Sequence, residues 1–329
     1  MNVLITGGTG FIGSRLALRC LERGDQVAVM SPANNEGERR NRDMLLQHGV
    51  VVHEASILDR DSVQRAVSGQ EAVVHLAAAQ HEANVSDQHF WDINVGGTRN
   101  LLQAASTSGV RRFVYGSTIG VYASSAGRAL DESSPLAPEN VYEETKAAGE
   151  EAVRDHSDAL QSTILRISET YGPGDLRLLK LFRAIKGGHF FVIGSGKNSH
   201  HPIYIDDVME AIVRSIESDA AVGETFVLAG PEVLTTSEMA SAIAQVLSVK
   251  EPSLKLPLFP FMWMAVVLQK ALGPLGVQPP LHPRRMDFFR KGYEFSIEKM
   301  ERVLQFKPST SFLDGARRTS QWYVNEGFL

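Results

Sequence analysis

The sequence predicts an α/β fold: a doubly wound parallel sheet with a smaller, mostly C-terminal α/β domain beside it. Three observations carry that prediction. Short runs rich in β-branched residues alternate with helical patterns through the first half of the chain. A strand, a glycine-rich turn and a helix stand in that order at the N-terminus. After Tyr171 the texture changes: Gly172-Pro173-Gly174 breaks the chain, and Pro and Gly recur between 251 and 283.

Residues 2–6, 26–30, 50–54, 72–76 and 112–116 read as five strands, and 162–167 as a sixth. Helices are expected to start near Gly13, Asp61, Val85 and Asn140. Strand–helix alternation at this spacing needs helices on both faces of a parallel sheet. The domains are placed at 1–170 and 171–329, with 203–230 returning to the first sheet. Asp206 and Asp207 open a helix in that returning stretch, so capping is their expected role.

Composition narrows the class. A length of 329 residues allows a large core and about two domains. Hydrophobic residues at 43% with 22% charged are ordinary for a soluble globular protein. A net charge of −5, with scattered Lys and Arg, offers no nucleic-acid patch. The single cysteine, Cys20, excludes an internal disulfide framework and fits a packed thiol in a reducing, cytoplasmic setting. No basic stretch or cleavage site of a secretory leader is seen. The apolar segment 256–272 contains Pro257, Pro260, Gln269 and Lys270 and falls short of the roughly 20 clean residues a membrane span needs. A buried or interfacial helix is expected there rather than a membrane-surface contact. His200 and His201 have no third ligand at metal spacing, so no metal site is expected.

Function begins at the first turn. Gly7, Gly10 and Gly13 lie between the first strand and first helix, with Phe11 and Ile12 opening that helix. Glycines here permit a tight turn, close approach of backbone to a pyrophosphate, and helix–strand packing. The helix N-terminus presents N–H groups and a positive dipole end to phosphate. This is a Rossmann-like dinucleotide site.

Tyr142 and Lys146 fall one helical turn apart on one face. A phenol of pKa about 10 is a poor base at neutral pH without a neighbouring cation. Lys146 supplies one, and an oxidised nicotinamide supplies another. Tyr142 then exchanges a proton with a substrate hydroxyl or carbonyl as hydride moves.

These features, with Val74-His-Leu-Ala-Ala-Ala79, Asn94-Val-Gly-Gly-Thr98, Tyr171-Gly-Pro-Gly174, Ile203-Tyr-Ile-Asp-Asp-Val208, Phe295-Ser-Ile-Glu-Lys299 and Trp322-Tyr323, resemble the extended branch of the short-chain dehydrogenase/reductase superfamily. The likeness to this NAD-dependent epimerase/dehydratase family runs nearly the whole chain, in order. It implies a third catalytic hydroxyl four residues before the Tyr of a Val-Tyr pair, and Val121-Tyr122 points to Thr118. Ser117 is assigned to cofactor or backbone, and Asn94 to bracing its helix. Ala77, Ala78 and Ala79 are expected to face the cofactor. Relatives also imply a homodimer across the helices near 94–108 and 142–155.

The resemblance leaves the dinucleotide open. NAD-preferring relatives end the second strand with an acidic residue on the ribose, and here that position is Ser31. The adenine-binding Asp after the third strand is likewise lost, with Ser56 before Ile57. Arg39, Arg40 and Arg42 follow and are placed to reach a 2′-phosphate, against the alternative of a solvated basic loop. NAD(P) is the expected cofactor, with the balance tipped to NADP.

Departures from the family pattern sort the reactions. Dehydratases carry Asp-Glu after the catalytic Thr and decarboxylases a Glu, but this chain has Ile119-Gly120. A 4-epimerase needs no further acid or base, and Arg284 with Asp287 matches a diphosphate-binding pair. Against that, His200 stands for the usual Arg, Glu169 for the usual Asn, and Ile167 for the usual Pro. The first expectation is therefore a nucleotide-sugar 4-epimerase. The second is an alcohol/ketone enzyme of the 3β-hydroxysteroid dehydrogenase/dihydroflavonol reductase kind, suited to the apolar 256–272 segment. A non-catalytic dinucleotide-binding scaffold is the third.

Overall fold

A computed structural model describes the backbone of residues 1–80, 85–125, 127–272 and 283–329, and the side chains of these except 269–272 and 283–285. The first half alternates as the patterning requires. In chain order the elements are β1 Asn2–Thr6, α1 Phe11–Glu22, β2 Gln26–Met30, α2 Glu36–Gln47, β3 Val51–His53, α3 Arg60–Val67, β4 Ala72–His75, α4 Asp87–Trp91, α5 Thr98–Ser108, β5 Arg112–Thr118, α6 Val141–Arg154 and β6 Ser162–Ile167. α7 (Leu179–Lys186), α8 (Ile205–Glu217) and a strand at Thr225–Leu228 follow. The Arg39–Arg42 run, weighed above as a loop, lies on α2. That helix buries only Leu45, so it has no apolar stripe for a periodicity argument to find.

Seven parallel strands form one sheet in the order Thr225–Leu228, β6, β5, β4, β1, β2, β3. Chain direction across the sheet reverses between β1 and β4, and ligands of such sheets bind beyond the strand C-termini at that point. The register brings the ends together: Thr6 pairs with both Met30 and His75, and Thr118 with Ile167. One face packs α1 and α8 through Leu16, Cys20, Val208 and Ile212, and the other packs α3, α5 and α6 through Val63, Leu101 and Val153. Burial pushes the Cys20 thiol up to about 12, a packed and unreactive group.

The Asp206–Asp207 expectation is corrected. Neither carboxylate caps α8. Asp207 accepts from the backbone N–H groups of Ser309 and Thr310, pinning the C-terminal segment, and Asp206 faces Arg15. Beyond α8 the chain forms α9 (Thr236–Leu247), α10 (Leu258–Leu272), α11 (Pro283–Arg290), α12 (Glu298–Val303) and α13 (Phe312–Asn325). α10 packs Ala265 and Phe261 against Ile193, Met286 and Phe289, while Phe259 is 79% and Trp263 65% exposed. Among the described residues, no helix is long and apolar enough to cross a membrane.

Candidate active site

A cleft of about 470 Å³ opens over the C-terminal ends of β1, β4, β5 and β6. Its floor is the first turn. Gly7 has φ +67°, and a Cβ there would sit 2.8 Å from the Ala77 nitrogen. A Cβ on Gly13 would meet the Gly7 carbonyl oxygen at 2.3 Å, so α1 can press on the turn only through a glycine. Gly10 precedes α1 with no side-chain cap, and the first turn has no acidic residue. The N–H groups of Phe11, Ile12 and Gly13 are left to an anion, as a pyrophosphate requires. These residues fit a dinucleotide.

The reacting end lies where β5 meets α6. Asn140 caps α6, accepting from Glu143 N at 3.2 Å, and so sets the pitch that carries Tyr142 and Lys146 inward. Thr118, Tyr142 and Lys146 line the cleft together, with the Thr118 hydroxyl near enough to the phenol to favour its ionised form. Burial pushes the Tyr142 phenol up to about 12, with the Thr118 hydroxyl and Arg177 pulling the other way. Burial also lowers the Lys146 ammonium to about 7, opposed by Glu150. Its Nζ sits 4.1 Å over the Tyr115 ring, a cation–π contact in place of water.

Beneath this pair is a network that spacing did not reveal. The Glu150 carboxylate accepts from Ser117 Oγ at 2.6 Å, Arg166 Nε at 3.0 Å and Nη2 at 2.8 Å, and Arg154 at 2.7 Å. It ties β5, α6 and β6 together and puts a buried negative charge behind Lys146. Ser117, assigned above to cofactor or backbone, spends its proton on Glu150 while still lining the cleft. Asn94 bridges Ala79 N, Ala79 O and Thr145 Oγ1, a brace between the β4 loop and α6. His75 is held between Thr6 and Thr98, and burial keeps it neutral.

At the adenosine end the structure rearranges the expected contacts. Ser31 is buried and its Oγ accepts from Thr9 Oγ1 at 2.6 Å. Ser56 Oγ accepts from Leu58 N, and Ile57 packs on Gly97. Ala78 lines the cleft, whereas Ala77 backs against Gly7 and Ala79 is turned to Asn94. Arg42 pairs with Asp43 and Glu54, and Arg39 reaches the Asn34 carbonyl. None of the three arginines stands on the cleft wall, but Glu38 does.

On the substrate side two further chambers meet the cleft. One of about 300 Å³ is shared by Thr118, Tyr142, His200, Phe288 and Tyr293. The other, about 550 Å³, is walled by Leu178, Leu181, Phe190, Phe288, Phe289 and Phe312. Glu169 lines the cleft and both chambers. Both of its oxygens lie 3.1 Å from His200 Nδ1, and His200 Nε2 lies 2.9 Å from Thr236 Oγ1. Burial works against the imidazolium, but the Glu169 carboxylate outweighs it and raises His200 above its ordinary value. His201 stands apart: it bonds Gly230 O and Phe295 N, and burial keeps it low.

Three cations near the chambers are paired, while Lys180, which lines the larger one, has no ion pair among the described residues. Arg290 meets Asp287 and Glu139, Lys291 meets Glu139 and Glu143, and Arg177 meets Asp175. The Arg284 side chain lies outside the described residues. Glu143 fills room left by Gly120, whose Cβ would be 3.3 Å from Glu143 Oε1. Among the described residues no group of three His, Cys, Asp or Glu is set to hold a metal.

The profile of the NAD dependent epimerase/dehydratase family matches residues 3–229. The chain belongs to that family. Members similar to it do different things. It is 30% identical over 98% of its length to a dTDP-glucose 4,6-dehydratase from Streptomyces niveus, covering 93% of that protein. It is 28% identical over 96% of its length to 3beta-hydroxysteroid-dehydrogenase/decarboxylase isoform 2 from Arabidopsis thaliana, spanning 61% of that longer protein. UDP-glucuronic acid 4-epimerase from Bacillus cereus, solved with NAD, superposes with TM-score 0.80 at 22% identity, covering 100% of both chains, a likeness of fold. The chain is thus an enzyme of the extended short-chain dehydrogenase/reductase type, epimerase-like in architecture and built for a nicotinamide dinucleotide.

Proposed function

We propose that this enzyme interconverts a secondary alcohol and a ketone on a largely apolar molecule, using NAD(P). The supporting observation is the phenylalanine-walled chamber, which shares Glu169 and Phe288 with the smaller chamber that Tyr142 lines, together with the pairing of Glu169 to His200. A diphosphate wants free cations; Arg177, Arg290 and Lys291 are held by carboxylates, which leaves Lys180 as the cation of this wall with no ion pair among the described residues. An apolar ligand gains about 25 cal/mol per Å² of apolar surface removed from water.

The bound nicotinamide supplies the hydride acceptor or donor. Thr118 holds the substrate oxygen, and Tyr142 takes its proton as the C–H electron pair leaves and the carbonyl forms; reduction returns that proton. Lys146 favours the phenolate electrostatically. Glu150 and Arg166 keep the three side chains in register.

The nucleotide-sugar 4-epimerase reading uses the same Thr118, Tyr142 and Lys146. It is favoured by the 30% identity to a dTDP-glucose enzyme and needs the Arg284–Asp287 pair to meet a diphosphate. It is the second reading because the chamber lining and Glu169 oppose it. A homodimer across α5 and α6, in the cytoplasm, completes the proposal by family analogy; light scattering over micromolar concentrations tests it.

A thermal-shift panel separates the two substrates, since a ligand that binds the native state raises its melting temperature. Hydrophobic ketones and alcohols such as 3-keto and 3-hydroxy sterols, each with NAD and with NADP, are compared with UDP-, GDP- and dTDP-sugars. Stabilisation by the apolar set is expected. Stabilisation by nucleotide sugars alone would sink the apolar reading and promote the epimerase.

A further inference from the structure

We infer that Glu38 takes over the ribose-binding role vacated at Ser31 and makes the site selective for NAD over NADP. Glu38 stands on the wall of the cleft with Gly10, Phe11 and Ile12, at the end away from Tyr142. It comes from α2, seven residues after the strand-end position where a carboxylate would ordinarily meet the ribose. Asn35 caps the helix by accepting from Glu38 N at 3.0 Å. The Glu38 carboxylate in turn accepts from Asn34 N at 2.8 Å and Asn35 Nδ2 at 2.7 Å. This is a reciprocal cap, and it fixes the carboxylate on the cleft side of the β2–α2 loop.

Two consequences follow for a bound dinucleotide. A carboxylate accepts hydrogen bonds from the two hydroxyls of an adenosine ribose and repels a 2′-phosphate. The donors that would cradle such a phosphate in this loop, Asn34 N and the Asn35 amide, are already satisfied by Glu38. The cations that would offset it are directed elsewhere: Arg42 to Asp43 and Glu54, and Arg39 to the Asn34 carbonyl. Arg40, two residues beyond Glu38, projects from the opposite side of the helix. Ser31 cannot compete for the ribose, because it is buried and turned to Thr9. The inference concerns the cofactor alone and stands whichever substrate the enzyme accepts.

The test is calorimetric titration of the full chain with NAD⁺ and NADP⁺, and with the fragments ADP and 2′,5′-ADP. Wild type should bind NAD⁺ and ADP tighter than their 2′-phosphorylated counterparts by on the order of ten- to a hundredfold. Glu38→Gln keeps an acceptor for Asn34 N and removes the charge. It should tighten NADP⁺ by about tenfold and weaken NAD⁺ a few-fold, with an unchanged circular-dichroism melt. Tighter binding of NADP⁺ by wild type, or an unchanged NAD⁺/NADP⁺ ratio in E38Q, overturns the assignment. Should E38Q fail to fold, the wild-type ADP/2′,5′-ADP ratio is measured between about 0.02 and 0.5 M NaCl. Repulsion from Glu38 requires the preference for ADP to shrink with salt; a salt-independent preference overturns it.

Discussion

The two walls of the cleft are made differently. The nucleotide wall is mostly backbone: the Gly7–Gly13 turn, the bare N-terminus of α1 and the β4 end stacked on it. The wall proposed for the substrate is made of side chains from separate elements, Phe190, Phe288, Phe289, Met239 and Phe312, with Glu169 reaching from among them to His200. A backbone site tolerates little change, since a single Cβ is enough to close it. A side-chain wall can be relined while the fold stays as it is. Relatives with dehydratase and sterol-dehydrogenase names therefore align along nearly the whole chain, and an epimerase shares its fold.

Substitutions on the two walls should separate accordingly. The largest effect belongs to the atom where they meet. Tyr142→Phe removes the proton carrier and should lower kcat about 10²–10⁴-fold, with NAD binding changed less than about threefold. Steady-state rates beside calorimetric titration check this, and substantial residual turnover would point to another proton donor. Gly13→Ala drives a methyl into the Gly7 carbonyl and the Gly8 Cα, both backbone. It should cost about 1–3 kcal/mol of stability and at least about tenfold in NAD affinity. Phe289→Ala, on the other wall, should leave NAD affinity alone and weaken an apolar ligand about tenfold. If both variants moved both affinities alike, the division between the walls would fail.

The same division explains what could be read from sequence. Gly7, Gly10 and Gly13, and Tyr142 with Lys146, act through spacings of three or four residues on one element, so a single chain displays them. Glu150 does not: it meets Ser117 from 33 positions away and Arg166 from 16, and only the sheet order joins them. Glu169 and His200 were each legible as a departure from pattern, but not as partners 31 residues apart. Ser31 was read as facing the ribose because strand ends usually do, and the buried Thr9 hydroxyl captures it instead. Glu38 is not legible in this way because α2 is polar nearly all round, so nothing in its periodicity distinguishes the face turned to the cleft.

Lys146 sharpens the comparison from the catalytic end. Burial lowers it from 10.5 to about 7, so between those values the unfolded chain holds a proton that the folded chain does not. Folding stability attributable to this residue rises with pH across that window, and its burial cost is fully felt below pH 7. Lys146→Met should therefore raise stability by on the order of 3 kcal/mol at pH 6, with the gain fading toward pH 10. Denaturant melts at several pH values check it, and a gain independent of pH would assign the effect to packing. Turnover should be lost in the same variant, since the phenol loses its cation.

The smallest effect tests whether the substrate wall carries its own pH response while the nucleotide wall carries none. His200 is raised above 6.5 by Glu169 despite burial. A raised histidine contributes stability that is present in full below the unfolded value and lost as pH rises through the folded one. Because Glu169 is 38% exposed, that contribution is discounted to at most about 1 kcal/mol. Above the raised pKa the imidazole is neutral, and the Glu169 carboxylate is left uncompensated against an apolar ligand. KM for an apolar substrate should then rise a few-fold as pH increases through that value, while NAD affinity stays flat. In Glu169→Gln only the Phe288 backbone hydrogen bond still opposes burial, so His200 should titrate lower than in wild type by NMR and the KM step should disappear. A KM step that survived in E169Q would place its origin in another group, and a parallel step in NAD affinity would show that the two walls are not independent.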